Sequence, residues 1–228
     1  MELTRHLWKQ KLFAILVPLY LFLFFPFNLL AYETPGTGIT WTMSDLVSMS
    51  GGAVDGSEGT YTINEDIIIS AGDTIIVSGG DTLKFASGTG LSVNGTLLLN
   101  GSSSNLITVT SVSATPSPGD WKGISFYHHS SGNITYSIIE YAQKGIYAEN
   151  YTSPQITYCI IRHNLRGVEV DRTSGNYQPN LIVNYSDFLD NTEYNYVAIR
   201  TWNWSFHTLD ARWNYWGSED PKVISSTI

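Results

Sequence analysis

Gly-Ile stands at Gly123-Ile124 and again at Gly145-Ile146, and Gly-Val follows at Gly167-Val168, the step being constant at about 22 residues. Tyr136-Ser137-Ile138-Ile139-Glu140-Tyr141 aligns with Tyr158-Cys159-Ile160-Ile161-Arg162-His163 at the same step. Two independent landmarks with one period mark a chain that coils in stacked rungs. A third copy, Tyr185-Ser186-Asp187-Phe188-Leu189-Asp190-Asn191, comes about 27 residues on, where the repeat alone would place it sooner. The excess is assigned to Thr173–Asn180, whose Ser, Gly, Asn and Pro read as a loop insertion that leaves the flanking strands in phase.

From Ile63 to Thr110 short apolar runs such as Ile67-Ile69, Thr74-Val77, Thr82-Phe85 and Thr96-Leu99 alternate with turn residues, among them Ala71-Gly72-Asp73, Asn94-Gly95 and Asn100-Gly101. Asn-Gly alone suggests hairpins, but only rungs of three short strands and three bends also explain the later repeat. No stretch after residue 50 keeps apolar residues at helical spacing over three turns. The chain of 228 residues therefore reads as one all-β solenoid with coils of about 22 residues. Residues 32–62 are expected to form an N-terminal lead-in or cap, residues 63–201 the coils, and residues 202–228 a Trp-rich C-terminal cap.

Residues 1–31 read as a secretory signal peptide: Arg5, Lys9 and Lys11 precede an apolar run from Leu12 to Leu30, with Ala31 at the expected cleavage point. Pro18, Pro26 and Asn28 spoil a spanning helix, so the membrane is a partner only if the segment stays uncleaved. The expected localisation is secreted or cell surface. The formal charge is -8, and loss of residues 1–31 leaves about -10, which argues against nucleic acid and most polyanions. Arg162, Arg166 and Arg172 remain able to make a local cationic spot. Cys159 is the only cysteine, so export brings no internal disulfide.

Strand alternation places Ile124/Ile146/Val168 and Phe126/Ala148/Val170 inward, with Ser125/Tyr147/Glu169 outward. A second strand gives Ser137/Cys159/Ser186 and Ile139/Ile161/Phe188 inward and Ile138/Ile160/Asp187 outward. Cys159 is thus expected to be an inert buried thiol. Asn164 and Asn191 share one repeat position and are expected to bond the backbone in a bend. Such a turn-rich chain produces Asn-X-Ser/Thr by chance, which lowers the value of the matches at Asn94, Asn100, Asn133, Asn150, Asn184 and Asn203.

The residues left for function are few. The file Tyr136/Tyr158/Tyr185, with Tyr147, Tyr177, Tyr127 and Tyr196, is the candidate carbohydrate-binding surface, since rungs ~4.8 Å apart set rings at a pitch suited to an extended polysaccharide. The same file also reads as an aromatic ladder that stabilises the stack. Trp202, Trp204, Trp213 and Trp216 are expected to close the last coil, the alternative being a platform for sugar rings. Asp171 and Arg172 supply a base and a cation at the lip of the Thr173–Asn180 insertion, although a solvated loop pair is the simpler reading. Adjacent strand residues face opposite ways, so His128 and His129 are not expected to share a metal. No cofactor is expected; a calcium site would have to gather Glu140, Asp187, Asp190 and Asp171.

The chain resembles the right-handed parallel β-helix proteins of the pectate lyase-like superfamily, over about residues 60–220. Leu83-Lys84-Phe85 with Gly90–Leu97 resembles the opening coils of its secreted group, Asp120-Trp121-Lys122-Gly123-Ile124-Ser125-Phe126 the middle, and Asn214-Tyr215-Trp216-Gly217-Ser218 the end signature. The resemblance implies a right-handed helix. It does not carry catalysis: polygalacturonase-like members have Asn-Thr-Asp, Asp-Asp, Gly-His-Gly and Arg-Ile-Lys motifs, and here only Asn191-Thr192-Glu193 echoes the first. No calcium-binding acid cluster with an arginine base, as in pectate lyases, can be placed. The expected function is a non-catalytic exported or surface protein that binds glycan or acts in adhesion. A polysaccharide lyase or glycoside hydrolase is the first alternative, and a structural spacer or part of a larger surface protein the second.

Overall fold

The structure, a computed structural model, describes residues 31–172, 179–200 and 209–227, with the backbone alone described for Arg172 and Arg200. The expected leader up to Leu30, Tyr177, Trp202, Asn203 and Trp204 lie outside the described residues.

Strands follow one another in triplets. The first winding carries β1 (Tyr32–Glu33), β2 (Thr40–Thr42), helix α1 (Met43–Met49), β3 (Val54–Ser57) and β4 (Thr60–Ile63). Next come β5 (Ile67–Ile69), β6 (Thr74–Ser78) and β7 (Thr82–Phe85), then β8 (Leu91–Val93), β9 (Thr96–Asn100) and β10 (Ile107–Ser111). The regular windings are β11 (Trp121–Phe126), β12 (Ser131–Thr135) and β13 (Ser137–Glu140), then β14 (Ala142–Ala148), β15 (Ser153–Thr157) and β16 (Ile160–Arg162). After β17 (Arg166–Arg172), β18 (Ile182–Asn184) and β19 (Asp187–Leu189), the chain ends on β20 (Tyr194–Arg200) and helix α2 (Pro221–Thr227).

First members of the triplets stack as sheet A (β1-β5-β8-β11-β14-β17-β20), second members as sheet B (β2-β6-β9-β12-β15-β18), and third members as sheet C, which β3 closes at one edge. All pairings are parallel except β3 with β4. The regular step holds where Ile124 pairs with Ile146 and Ser131 with Ser153, but a much longer winding separates Leu91 from its partner Ile124. The sequence repeat is therefore the shortest coil, and insertions at the bends raise the average spacing to about 26 residues. In the stretch expected as a lead-in, Tyr32 already pairs with Ile67 and Thr40 with Thr74, so parallel stacking reaches back to β1.

The inward files are those the alternation gives. Ile124, Ile146, Val168, Phe126, Ala148 and Val170 are all at most 1% exposed, as are Ser137, Ser186, Ile139, Ile161 and Phe188. One apolar column runs the length of the stack because each rung presents its alternate residues to the same axis. Trp121 is wholly buried, stacks on Phe85 at 4.3 Å and donates its indole N–H to the Glu140 carbonyl at 2.8 Å, so its one polar atom is satisfied.

The first end is closed by α1. Thr42 and Asp45 form a reciprocal capping box, with Met43 and Leu46 buried over the core. Beside it the buried Asp73 carboxylate accepts hydrogen bonds from the Gly36, Gly38 and Ile39 amides at 2.8–2.9 Å and from the Trp41 indole at 3.3 Å. Burial raises the pKa of this carboxyl, yet the bonds from Ile39, Gly36, Thr34 and Trp41 outweigh that and bring it down to about 2.

The glycine landmarks are not equivalent. Gly123 is a bulge: it pairs with Lys144, not with Gly145, before the register resumes at Ile124 and Ile146. Its φ of 107° and the Lys144 carbonyl against its α-carbon leave room only for glycine. Gly145 and Gly167 are instead the close-approach points of an asparagine ladder. A methyl on Gly167 would lie 2.5 Å from the Asn195 carbonyl and 3.1 Å from the Asn191 amide. Asn164 accepts from the Ala142 amide at 2.8 Å and donates to the Ile139 carbonyl at 3.1 Å, and Asn191 repeats the bond to Ile161 at 3.0 Å.

Candidate functional site

Two surfaces carry the residues singled out by the sequence. The first is the bend between sheets B and C, turned by one residue per rung: Tyr136, Tyr158, Tyr185 and Trp213, all with φ between 47° and 57°. Left-handed backbone costs a side-chain-bearing residue roughly 1–2 kcal/mol. The rings offset that by stacking: centroids are 4.9, 5.1 and 4.8 Å apart and planes are within 12° of parallel. Because each ring covers the next, the ladder uses its faces internally and offers solvent its edges and hydroxyls. Tyr158 and Tyr185 are nonetheless exposed at 46% and 45%.

Trp213 belongs to this ladder and not to the cap. Trp216 does cap: it stacks on buried Phe188 at 4.7 Å and meets Tyr196 edge-on. The signal was present in the sequence, since Trp213-Asn214-Tyr215-Trp216 aligns with Tyr185-Ser186-Asp187-Phe188 at a lengthened step, and Asp187 bridges Tyr215 in parallel.

The second surface is the outer face of sheet A. Lys144, Arg166 and Tyr194 form one outward column, and Ser92, Ser125, Tyr147, Glu169 and Val197 the next. Tyr147 and Glu169 point outward as expected but are not solvated, being 7% and 2% exposed. Long neighbours fold over them. Lys144 Nζ lies 2.7 Å from Glu169 Oε1 and 4.3 Å from the centre of the Tyr147 ring, and Arg166 bonds the other Glu169 oxygen. Arg166 Nε also meets Glu193 at 2.6 Å, and the bonds to Glu169 and Glu193 raise the guanidinium pKa. Burial, then the Asp171 and Glu149 charges, push the Tyr147 phenol upward.

Between the columns lies a groove of about 240 Å³. Ser92 and Ser125 form its floor, Lys122, Gln143 and Lys144 precede that floor along their strands, and Tyr127 follows it. Lys122 is bridged to Asp66. Tyr127 lies 5.7 Å from Tyr147 at 53°, giving the groove an aromatic flank. Of the candidate carbohydrate residues, Tyr136, Tyr158 and Tyr185 therefore share one bend while Tyr147 lies on another face.

Other expectations are redistributed. Asp171 and Arg172 end strand β17 in register with Ile199 and Arg200, so they are not a loop pair. The cationic spot is not assembled: Arg162 pairs with Glu140 on sheet C at 2.8 Å, whereas Arg166 is engaged on sheet A. His128 and His129 occupy the turn after β11 with positive φ, not a strand, and His129 stacks on Tyr151 at 4.3 Å. Glu140 is held by Arg162 and Thr110, while Asp171 lies on sheet A, so the carboxylates named for calcium are not gathered. Among the described residues no group of three His, Cys, Asp or Glu is placed to hold a metal. Cys159 is buried with its thiol pushed up to about 12, mainly by desolvation, which leaves it without thiolate character at neutral pH. Among the described residues no helix is long and apolar enough to cross a membrane.

No curated protein and no solved structure matches the chain. The family described as the right-handed beta helix region matches residues 39–211. That span covers the stacked rungs from β2 into the terminal bridges, and the chain belongs to the right-handed parallel β-helix family, in keeping with its pectate lyase-like signatures.

Proposed function

We propose that this is an exported or cell-surface β-helix protein that binds polysaccharide on the outer face of sheet A without transforming it. The single observation behind the reading is the groove over Ser92 and Ser125, where hydroxyl, amide and ammonium groups converge beside the Tyr127 ring. Convergent polar groups with an aromatic flank suit a polyol, whose rings present alternating apolar and hydroxyl-bearing surfaces. The residues lining the groove come from successive windings, Ser92, Ser125 and Lys144 among them, which suits a ligand longer than a single sugar. The carboxylate in its lining, Asp66, is paired through Oδ2 with Lys122, and the adjoining Glu169 is paired with Lys144 and Arg166, which disfavours an acid–base role for them. Export is supported by the N-terminal apolar run.

Affinity electrophoresis in gels containing a panel of soluble polysaccharides tests the reading. Retardation by at least one polymer is expected, with Tyr127→Ala and Gln143→Ala reducing it. No retardation in any gel would reject glycan binding and leave a structural spacer.

One observation favours an enzyme as the second reading. Glu149 is half-buried; desolvation and the nearby Asp171 raise its pKa, against His128 and a hydrogen bond from Tyr147, which lower it. A carboxyl so placed beside a second one can serve as a general acid. Release of reducing ends or unsaturated sugars from a bound polymer, abolished by Glu149→Gln, would establish this reading in place of the first.

A further inference from the structure

We infer that the glycan taken by the sheet A groove is electrically neutral, built of uncharged sugars and not of uronate or sulfated units. The inference rests on the glycan-binding reading above and concerns the class of chain that the same site selects.

Charge pairing on this face carries the argument. Three cations border or adjoin the groove, Lys122, Lys144 and Arg166, and each is matched by a carboxylate: Asp66, Glu169 and Glu193. Among the described residues the border of the groove therefore presents no uncompensated positive charge, and Glu149 further along the face carries a negative charge that already acts on Tyr147. An anionic polymer would have to draw a cation from its partner. For Lys144 that partner is Glu169, which is 2% exposed, so separation would take from a buried carboxylate one of the two cations that offset its desolvation. The formal charge of -8 opposes approach of a polyanion as well.

What the groove offers instead is chemistry for uncharged polyols. Ser92 and Ser125 are partly exposed on its floor and Gln143 is exposed at its margin, supplying both donors and acceptors. The ion pairs themselves hold their remaining N–H groups and oxygen lone pairs in place, a preorganised and charge-balanced set of hydrogen-bonding partners. Tyr127 supplies the apolar contact.

Titration calorimetry on the full chain, with a soluble neutral glucan, the carboxymethylated form of the same glucan, and polygalacturonate, decides the matter when run at low salt and at ~0.5 M salt. The expected result is binding of the neutral polymer with Kd changing less than about twofold between the two salts, and at least tenfold weaker binding of both anionic polymers. Asp66→Asn, which frees Lys122 at an accessible position, should improve binding of the carboxymethylated polymer and make it salt-sensitive. Glu169→Gln should do so more strongly, with circular dichroism confirming that the variant is folded. Native protein that prefers the anionic polymers, with affinity falling steeply in salt, overturns the inference while leaving glycan binding in place. Failure to bind any of these or the wider panel overturns the glycan reading and the inference together.

Discussion

Asp73, just before β6, gathers three backbone amides of the loop between β1 and β2 and the Trp41 indole. Removing the carboxylate leaves the buried Trp41 indole N–H without its partner and releases the three exposed loop amides to water, and Asp73→Ala is expected to cost ~2 kcal/mol, read as a lowered urea midpoint. The acid response follows from its depressed pKa. Since the folded value of about 2 lies below the unfolded value, its stabilisation is complete above about pH 4 and is lost as pH falls toward 2. Melting temperature measured between pH 5 and 2 (a range set by that linkage) should fall more steeply for the native chain than for Asp73→Asn. Gly167 shows the opposite constraint, one of space. A methyl there meets backbone and the half-buried Asn191 ladder amide, so Gly167→Ala should cost ~2 kcal/mol in the same denaturation assay.

Among the elements, the bend between sheets B and C couples backbone strain to ring stacking. Tyr158 stacks on both neighbours, at 4.9 and 5.1 Å, so Tyr158→Ala should lose ~2 kcal/mol, whereas Tyr158→Phe, which keeps both faces, should be near neutral. A large loss in the phenylalanine variant would shift the weight to the hydroxyl. Much of this element was legible: the repeat predicts that Tyr136, Tyr158 and Tyr185 lie in file, and they do. That both faces of Tyr158 and Tyr185 are closed to ligand was not legible, because it depends on how each ring tilts against the one a rung away. Trp213 was missed for a simpler reason: a longer insertion displaces its copy of the repeat from the regular step. The outward column Ser125/Tyr147/Glu169 tells the same story. Alternation predicts its direction correctly, but its burial comes from Lys144 and Arg166 reaching across from the neighbouring column.

Taken as one body from Ala31 onward, the solenoid is nearly one-dimensional, with each winding resting on its neighbours. Its ends are therefore where opening begins. Trp216 covers Phe188 at the last windings, and Trp216→Ala should remove ~3 kcal/mol of local stability. Hydrogen exchange should report that loss in β17 to β20, with little change in β5 to β10. Uniform acceleration across all rungs would show that the stack opens as a single unit instead. Insertions have the converse property: the long winding between Leu91 and Ile124 leaves the pairing intact because its extra residues leave from a bend.

The linear order of residues was enough to establish the coil, its shortest period, the inward files and the inert burial of Cys159. These follow from two local periodicities, two residues along a strand and one winding between strands, which neighbouring sequence copies display directly. The three-dimensional packing settled which outward residues meet water, which ring faces stay free, and that Gly123 bulges while Gly145 and Gly167 approach an asparagine ladder. Those properties arise from side-chain reach and carbonyl placement between rungs a full winding or more apart, and no spacing rule encodes them. The charge balance of the sheet A groove belongs to the same class. Lys122 and Asp66 stand 56 residues apart in the chain and meet only because the windings stack.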